Sequence, residues 1–150
     1  MKKLSHIDSR GEASMVDVSH KPVLLREAVA RGEIHLQKST LQLIGKNKIA
    51  KGNVLATARL AGIMAAKKTG DLIPLCHPLP INHCEVNFEI PSSGDRVIIT
   101  ASAKIAAQTG VEMEALTAVS IAALTIYDMC KAVDKKMKIS NVELVFKTKK

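Results

Sequence analysis

With 150 residues, the chain is long enough to bury one hydrophobic core, and we expect a single domain over 1–150 whose residues 1–20 form an N-terminal arm. Hydrophobic residues make up 47% of the chain but aromatic residues only 2%, so the core must be aliphatic. The net charge of +8 favours an anionic partner, and the scarcity of aromatic side chains weighs against single-stranded nucleic acid, which is usually bound by base stacking. We therefore expect a phosphorylated small molecule as the ligand and no nucleic acid.

The cysteine content and the length of the apolar runs indicate the cellular compartment of the protein. Cys76, Cys84 and Cys130 form no disulfide framework, the N-terminal arm lacks the apolar stretch of a signal peptide, and no apolar run reaches the length of a membrane span. We expect a reduced, cytoplasmic protein that makes no use of a membrane.

The first half of the chain predicts a strand followed by two helices. Residues 22–37 alternate in the manner of a strand, and 39–48 begin with a Ser/Thr cap signal that predicts a short helix. A clearer helix spans 53–68, with Asn53 as its N-cap and Gly70 as a left-handed C-terminal cap. Small residues on this helix and on a later one permit close packing, within one subunit or between two: Ala58, Gly62, Ala66, Ala118 and Ala122.

The second half predicts a hairpin, a long helix and a last strand. Residues 84–90 and 96–105 alternate as strands around a turn, and a long helix starts at Thr109, whose hydroxyl forms a capping box with Glu112. Residues 141–148 are a final alternating strand. The order β, α, α, β, β, α, β predicts a ferredoxin-like α+β fold, an antiparallel sheet with helices packed on one face.

An acid and a base stand at the end of the apolar run of the long helix. Residues 115–127 are almost wholly apolar or small, yet Asp128 and Lys131 follow on one face, three residues apart. Charges that are buried or half-buried are costly unless paired, and they often mark a site of chemistry. The alternative is an ordinary ion pair at a helix end, and the pair alone favours that alternative.

Two further positions carry weak signals of their own. Lys51 precedes a helix start, where free backbone amides and the helix dipole can bind phosphate, but an exposed lysine at a capped helix start fits equally well. Glu114 is not explained by the capping box, and with Met113 it lies at the mouth of the long helix, where a ligand can meet carboxylates and amides.

The segment IPLCHPLPINHC at 73–84 contains three prolines, which exclude a helix and display Cys76 and His77 on a stiff loop. With His83 and Cys84, these side chains form a conceivable zinc set. The spacing is poor, because adjacent residues of an extended chain point to opposite sides and no CxxC pair is present. We expect no metal site, and no cofactor that the fold requires.

Three stretches together are specific enough to indicate a family. They read SHIDSRGEASMVDVSHKP, KGNVLATARLAGIMAAKKTGDLIPLCHPL and TGVEMEALTAVSIAALTIYDMCKAVDK, and the likeness runs from about Leu4 to Lys147. On these motifs the chain resembles the molybdenum cofactor biosynthesis protein C family, the cyclic pyranopterin monophosphate synthases. Residues 38–50 and 80–108 match less closely and are interpreted as scaffold.

The resemblance implies a lyase of the phosphorus–oxygen class in molybdenum cofactor biosynthesis. Its substrate would be 3',8-cyclo-7,8-dihydro-GTP, made from GTP by a radical-chemistry cyclase, and its products cyclic pyranopterin monophosphate and pyrophosphate. The family implies a homohexamer, a trimer of dimers, with sites at subunit interfaces. It leaves open whether Mg²⁺ accompanies the substrate phosphates.

The resemblance also assigns roles to matching positions. By it, Asp128, Lys131 and Lys51 would be catalytic. It implies eight substrate-binding residues, the last three more weakly: Leu75, Cys76, His77, Met113, Glu114, Glu112, Arg26 and Lys21.

The chemistry of these residues fits the implied reaction. A triphosphate needs cations, reclosing a purine ring needs proton transfers that a lysine beside a carboxylate can supply, and departing pyrophosphate needs charge stabilisation. Two rival classes remain from the residues alone: a small basic binding module, for RNA, in which Asp128 and Lys131 are a structural pair, and a purely structural oligomer.

Overall fold

The computed structural model describes residues 6–150. This part of the chain contains four strands and four helices in the order β1 Leu24–His35, α1 Lys38–Gly45, α2 Val54–Lys67, α3 Thr69–Leu72, β2 His83–Glu89, β3 Arg96–Ala107, α4 Glu112–Cys130 and β4 Lys138–Lys149. The predicted order is confirmed, and the added element is the single turn α3. Before β1, residues 6–20 form an isolated antiparallel bridge between Ile7 and Ala13.

The four strands form one antiparallel sheet in the order β2-β3-β1-β4. On β1 and β3 alternate residues are buried, and β1 shifts register against β4 after Val29 and after Arg31. Helices α2 and α4 pack side by side on the buried face, α4 over β1 and β3 and α2 over β2. The predicted ferredoxin-like α+β fold with helices on one face is confirmed.

Close contact between α2 and α4 rests on their small residues. A Cβ at Gly62 would lie 2.9 Å from the Ala118 carbonyl oxygen and 3.4 Å from the Ala122 Cβ, so only glycine allows the backbones to approach this far. Ala58, Ala118 and Ala122 are fully buried. The small-residue faces therefore meet within one subunit, which settles the alternative that the sequence left open.

Helix α4 is the core helix of this fold. It has 19 residues with a mean hydropathy of 1.3, so by length and composition it reaches a membrane span, contrary to the expectation that no apolar run does. However, 56% of this apolar stretch of α4 is buried inside the protein, against the sheet and α2. Such burial is typical of the central helix of a packed domain.

The helix caps show where local sequence signals succeed and fail. Asn53 caps α2 as predicted, its side-chain oxygen accepting from the Ala56 amide at 3.0 Å. The capping box at Thr109 is wrong: α4 begins at Glu112 with Val111 as N-cap and no side-chain cap. Glu112 is then the first helical residue rather than the third, and its carboxylate lies over Gly110 and pairs with Lys147 instead of bonding Thr109.

Two other cap predictions are also wrong. Gly70 does not end α2 in a left-handed conformation, because Lys68 is the C-cap and Gly70 continues into α3, packed against Pro78. At α1 the N-cap is Gln37, without a side-chain bond, and the Ser/Thr signal reflects a different contact: the Thr40 hydroxyl donates to Asp134 at 2.8 Å.

Candidate active site

The three residues predicted to be catalytic lie in contact at one end of the helix pair. Because α2 and α4 run antiparallel, the loop before α2 meets the end of α4. There Lys51 Nζ donates to Asp128 Oδ2 at 2.8 Å and to its backbone carbonyl at 3.1 Å. Lys131 Nζ lies 3.0 Å from Asp128 Oδ1. We call Lys51, Asp128 and Lys131 the lysine–aspartate cluster.

The electrostatics of the cluster define what Asp128 can do. Hydrogen bonds from Lys51 and then Lys131 hold the pKa of the Asp128 carboxyl below its usual value of 3.8. Near neutral pH the group is therefore a carboxylate that orients two ammonium groups, and it has no proton to give. The expectation of a buried or half-buried pair is wrong for the single chain, since the Asp128 side chain is 56% exposed and that of Lys131 57%.

A cavity of about 310 Å³ lies at the opposite end of α4. The N-terminal arm, the loop after α3 and the start of α4 enclose it. Seven of the eight predicted substrate-binding residues line this first cavity, with six further residues beside them: Leu75, Cys76, His77, Met113, Glu112, Glu114 and Lys21, then His6, Val16, Val18, Leu79, Thr109 and Gly110. The residues that the family resemblance assigned to substrate binding therefore lie together around one cavity, although they are distant in sequence.

Burial tunes the acidic groups of the first cavity. Glu114 is only 3% exposed. Burial raises the pKa of its carboxyl, and the nearby charge of Glu112 adds to the rise. A hydrogen bond from the residue's own amide lowers the pKa but does not outweigh the burial. Burial, followed by the charge of Glu114, likewise raises the pKa of the Cys76 thiol. Cys76 is therefore a protonated, hydrogen-bonding group here and not a thiolate nucleophile.

The N-terminal arm fixes the state of His77. His77 Nε2 lies 2.7 Å from the Val16 carbonyl oxygen, which can only accept a hydrogen bond. Nε2 must therefore carry the hydrogen, and in the neutral ring Nδ1 is left as an acceptor. The arm thus both walls the cavity and sets the tautomer of one of its polar groups.

Arg26, the eighth predicted binding residue, lines a neighbouring cavity of about 250 Å³. Its guanidinium is held by the backbone carbonyls of Ala107 and Gln108, at 3.3 and 2.9 Å. This second cavity shares Gly110 and Glu112 with the first and is otherwise lined by Glu27, Val111, Lys147, Thr148 and Lys149. The two cavities therefore adjoin each other at the start of α4.

Sequence reasoning missed several residues of this region. Lys147 and Lys149 belong to no motif of the sequence, yet they line the second cavity, and Lys147 Nζ lies 3.2 Å from Glu112 Oε1. His6, which no sequence pattern indicated, lines the first cavity. The alternation of side chains along β4 indicates that Lys147 and Lys149 lie on the same face of a strand, and this pattern could have marked them as a pair of neighbouring cations.

The cluster and the cavities are far apart in one chain. Met113 and Asp128 are separated by most of α4, and a helix rises 1.5 Å per residue, so the two ends lie about 22 Å apart along its axis.

Within residues 6–150, no three His, Cys, Asp or Glu side chains converge as metal ligands.

Comparison with known proteins identifies the family. The model of the MoaC family matches residues 15–150. This chain belongs to the MoaC family. The match contains every predicted site residue, from Lys21 to Lys131, and leaves His6 outside it.

Relatives in the MoaC family share most of the chain. A cyclic pyranopterin monophosphate synthase of Chloroflexus aggregans is 59% identical over 145 residues, 97% of this chain and 88% of its own length. That of Parvibaculum lavamentivorans is 56% identical over 147 residues, covering 98% and 92%. Cyclic pyranopterin monophosphate synthase 1 of Mycobacterium bovis is 60% identical over 141 residues, covering 94% and 82%.

Proposed function

We propose that this protein is a cytoplasmic cyclic pyranopterin monophosphate synthase of molybdenum cofactor biosynthesis. It converts 3',8-cyclo-7,8-dihydro-GTP, supplied by a radical GTP cyclase, to cyclic pyranopterin monophosphate and releases pyrophosphate. The observation that carries the proposal is the lysine–aspartate cluster. The cluster places two lysines, which can donate and accept protons, on one ionised carboxylate, and it occurs in a chain whose MoaC-family relatives carry this enzyme's name.

The substrate ring fits the first cavity. Buried Glu114, neutral Cys76 and His77 supply hydrogen bonds, and Leu75 and Met113 supply apolar contact. This mixture is typical of pockets that bind a flat, polar heterocycle.

The phosphates fit the second cavity and its rim. Arg26, Lys147 and Lys149 line it, and Lys21 lies on the side of the first cavity. Arg26 is held by backbone carbonyls, so its charge is placed before the ligand arrives, which lowers the entropic cost of binding. Cations here also stabilise the pyrophosphate that leaves when a substrate hydroxyl attacks the innermost phosphorus: one P–O bond forms and the P–O bond to pyrophosphate breaks.

Catalysis belongs to the lysine–aspartate cluster. Asp128 stays ionised and accepts from both lysines, so it orients them and keeps them close together. Lys51 and Lys131 then donate and accept the protons that ring opening and reclosure require.

A second copy of the chain completes the site in this proposal. Proton transfer requires contacts of about 3 Å, whereas the cluster and the ring cavity of one chain are separated by the length of α4. Two α4 helices packed antiparallel about a two-fold axis near Ser120 and Ile121 bring Met113 of one copy beside Asp128 of the other. Exposed apolar side chains on α2 and α4 support such a contact: Leu60, Met64, Met113, Leu124 and Tyr127.

We extend this dimer to a homohexamer, a trimer of dimers. Further apolar side chains on the outer strand β4 remain exposed in the single chain, Val145 at 50% and Phe146 at 48%, and offer a second contact surface. Light scattering that finds a monomer at micromolar concentration would contradict both contacts.

Turnover of cyclised dihydro-GTP, followed as pyrophosphate and pterin release, tests the function. We expect Asp128→Ala to lose about a hundredfold or more in rate, because it removes the group that orients both lysines. Asp95→Ala is the matched control, since Asp95 is also an exposed aspartate in an ion pair, 2.9 Å from Arg96, but lies in the β2–β3 turn. Equal turnover by both variants, or RNA binding without turnover, would refute the proposal.

A further inference from the structure

One fully buried carboxylate lies close to the lysine–aspartate cluster without belonging to it. Asp134 is only 2% exposed and follows Lys131 by three residues, in the turn between α4 and β4. A buried aspartate is costly unless it is fully hydrogen-bonded, so its partners indicate what it holds in place.

Asp134 joins the turn after α4 to the start of α1. Its Oδ2 accepts from the Gln37 amide at 2.9 Å and from the Thr40 hydroxyl at 2.8 Å, and its Oδ1 accepts from the Lys136 amide at 3.0 Å. Burial raises the pKa of Asp134, but these three hydrogen bonds outweigh it and the pKa is lowered. Thr40 is itself buried at 1% exposure, so the contact excludes water on both sides.

On the α4 side, the turn that Asp134 ends is tight and carries Lys131. The Val133 and Asp134 amides both donate to the Cys130 carbonyl at 3.0 Å, and the Lys131 amide donates to the Tyr127 carbonyl at 2.9 Å. Lys131 therefore lies in the same hydrogen-bonded turn as Asp134, between the end of α4 and the carboxylate that contacts α1.

On the other side, α1 leads by a hydrogen-bonded connection to Lys51. The Lys48 amide donates to the Leu43 carbonyl at 2.8 Å and the Gly52 amide to the Ile49 carbonyl at 3.0 Å. Ile49 is buried in the core. The segment that presents Lys51 is thus anchored to α1, and α1 is anchored by Asp134.

We propose that Asp134 is a positioning residue that sets the distance between Lys51 and Lys131 across Asp128. This rests on the proposed function, in which both lysines transfer protons to and from one ring. The packing of α2 on α4 holds the two backbone segments side by side, and Asp134 adds a hydrogen-bonded connection between them through α1. A misplacement of about 1 Å at a reacting centre can cost about a hundredfold in rate.

The test removes the contact from each side in turn. Asp134→Ala removes the acceptor and Thr40→Val removes one donor from α1, while Thr40→Ser keeps the hydroxyl. Ile99→Ala, in the centre of β3 and 0% exposed, is the control that lowers stability without touching either segment. All are assayed for pyrophosphate release at a temperature at which circular dichroism shows each to be folded.

We expect kcat to fall about tenfold or more in Asp134→Ala and less in Thr40→Val, with KM within a few fold, because the binding cavities are made by other segments. Thr40→Ser, which keeps the hydroxyl that Thr40→Val removes, should turn over like the parent. Ile99→Ala should also keep the parent kcat. If Asp134→Ala turns over like Ile99→Ala, or if KM rises at constant kcat, Asp134 is structural only and the inference is wrong.

Variants of the cluster distinguish this failure from failure of the proposed function. If Lys51→Ala and Lys131→Ala lose turnover while Asp134→Ala does not, only the positioning role is refuted. If both lysine variants keep full turnover, the catalytic assignment and the positioning role fall together.

Discussion

A mixture of two inactive variants is expected to recover activity if two chains build each site. Asp128→Ala removes the centre of the lysine–aspartate cluster at one end of α4, and Glu114→Gln changes the buried carboxyl of the first cavity at the other end. Each homogeneous variant should lose activity at every site. In a mixed dimer, one of the two sites receives Asp128 from one chain and Glu114 from the other, and is intact.

The expected size of the recovery follows from the symmetry of the pair. Random mixing at equal amounts makes half of the dimers mixed, and each of these has one intact site of two, so about a quarter of all sites are restored. This holds only if the cluster and the cavity of one chain serve different sites, which is what a separation of about 22 Å along α4 requires.

The assay compares pyrophosphate release by co-refolded mixtures with that of each variant refolded alone. The matched control mixes Asp128→Ala with Lys51→Ala. Because Lys51 and Asp128 contact each other within one chain at 2.8 Å, no site of that mixture is intact and no recovery is expected. If the first mixture shows no more activity than the mean of its two components, both halves of the site come from the same chain and our reasoning is refuted.

Three further predictions test single positions. Lys51→Arg and Lys131→Arg should each keep substrate binding but lose turnover, because arginine does not release its proton near neutral pH. If one of these variants turns over within a few fold of the parent, the lysine it replaces binds phosphate and transfers no proton. Glu114→Gln should raise the free energy of unfolding at pH 7, since a raised folded pKa makes the charged form costly, and urea titration should show that gain vanish below the usual pKa of 4.5. Gly62→Ala should destabilise by about 1–3 kcal/mol, because its Cβ would lie 2.9 Å from a carbonyl of α4, whereas thermal melts of Gly45→Ala, with open space around it, should show no loss.

The sequence predicted the elements well because the dominant signals were periodic and local. The hairpin of β2 and β3 and the helices α2 and α4 were each found within a few residues of their observed bounds. The helix caps were predicted less well, because competing partners decide them. Glu112 bonds Lys147 rather than the chain before it, and Thr40 bonds Asp134, and both partners are remote in sequence.

The site was predicted mainly through the family resemblance, since its parts are distant along the chain. No period or spacing indicates that Lys51 reaches Asp128, a contact that depends on the antiparallel packing of α2 and α4. The exposure of the cluster was mispredicted for the same reason: the last turn of α4 keeps Ile126, Met129 and Cys130 buried, but Asp128 lies on its exposed side.

The charges on α4 favour an antiparallel pairing of two copies over a parallel one. In the lysine–aspartate cluster two ammonium groups face one carboxylate, which leaves one net positive charge at the end of the helix. At its start, Glu112 is offset by Lys147, and Glu114 is buried with a raised pKa, so a nearby positive charge would stabilise its ionised form. An antiparallel dimer places that positive charge over each cavity. A parallel pairing would instead bring two positive clusters together, and like-charge juxtaposition of this kind is costly at an interface.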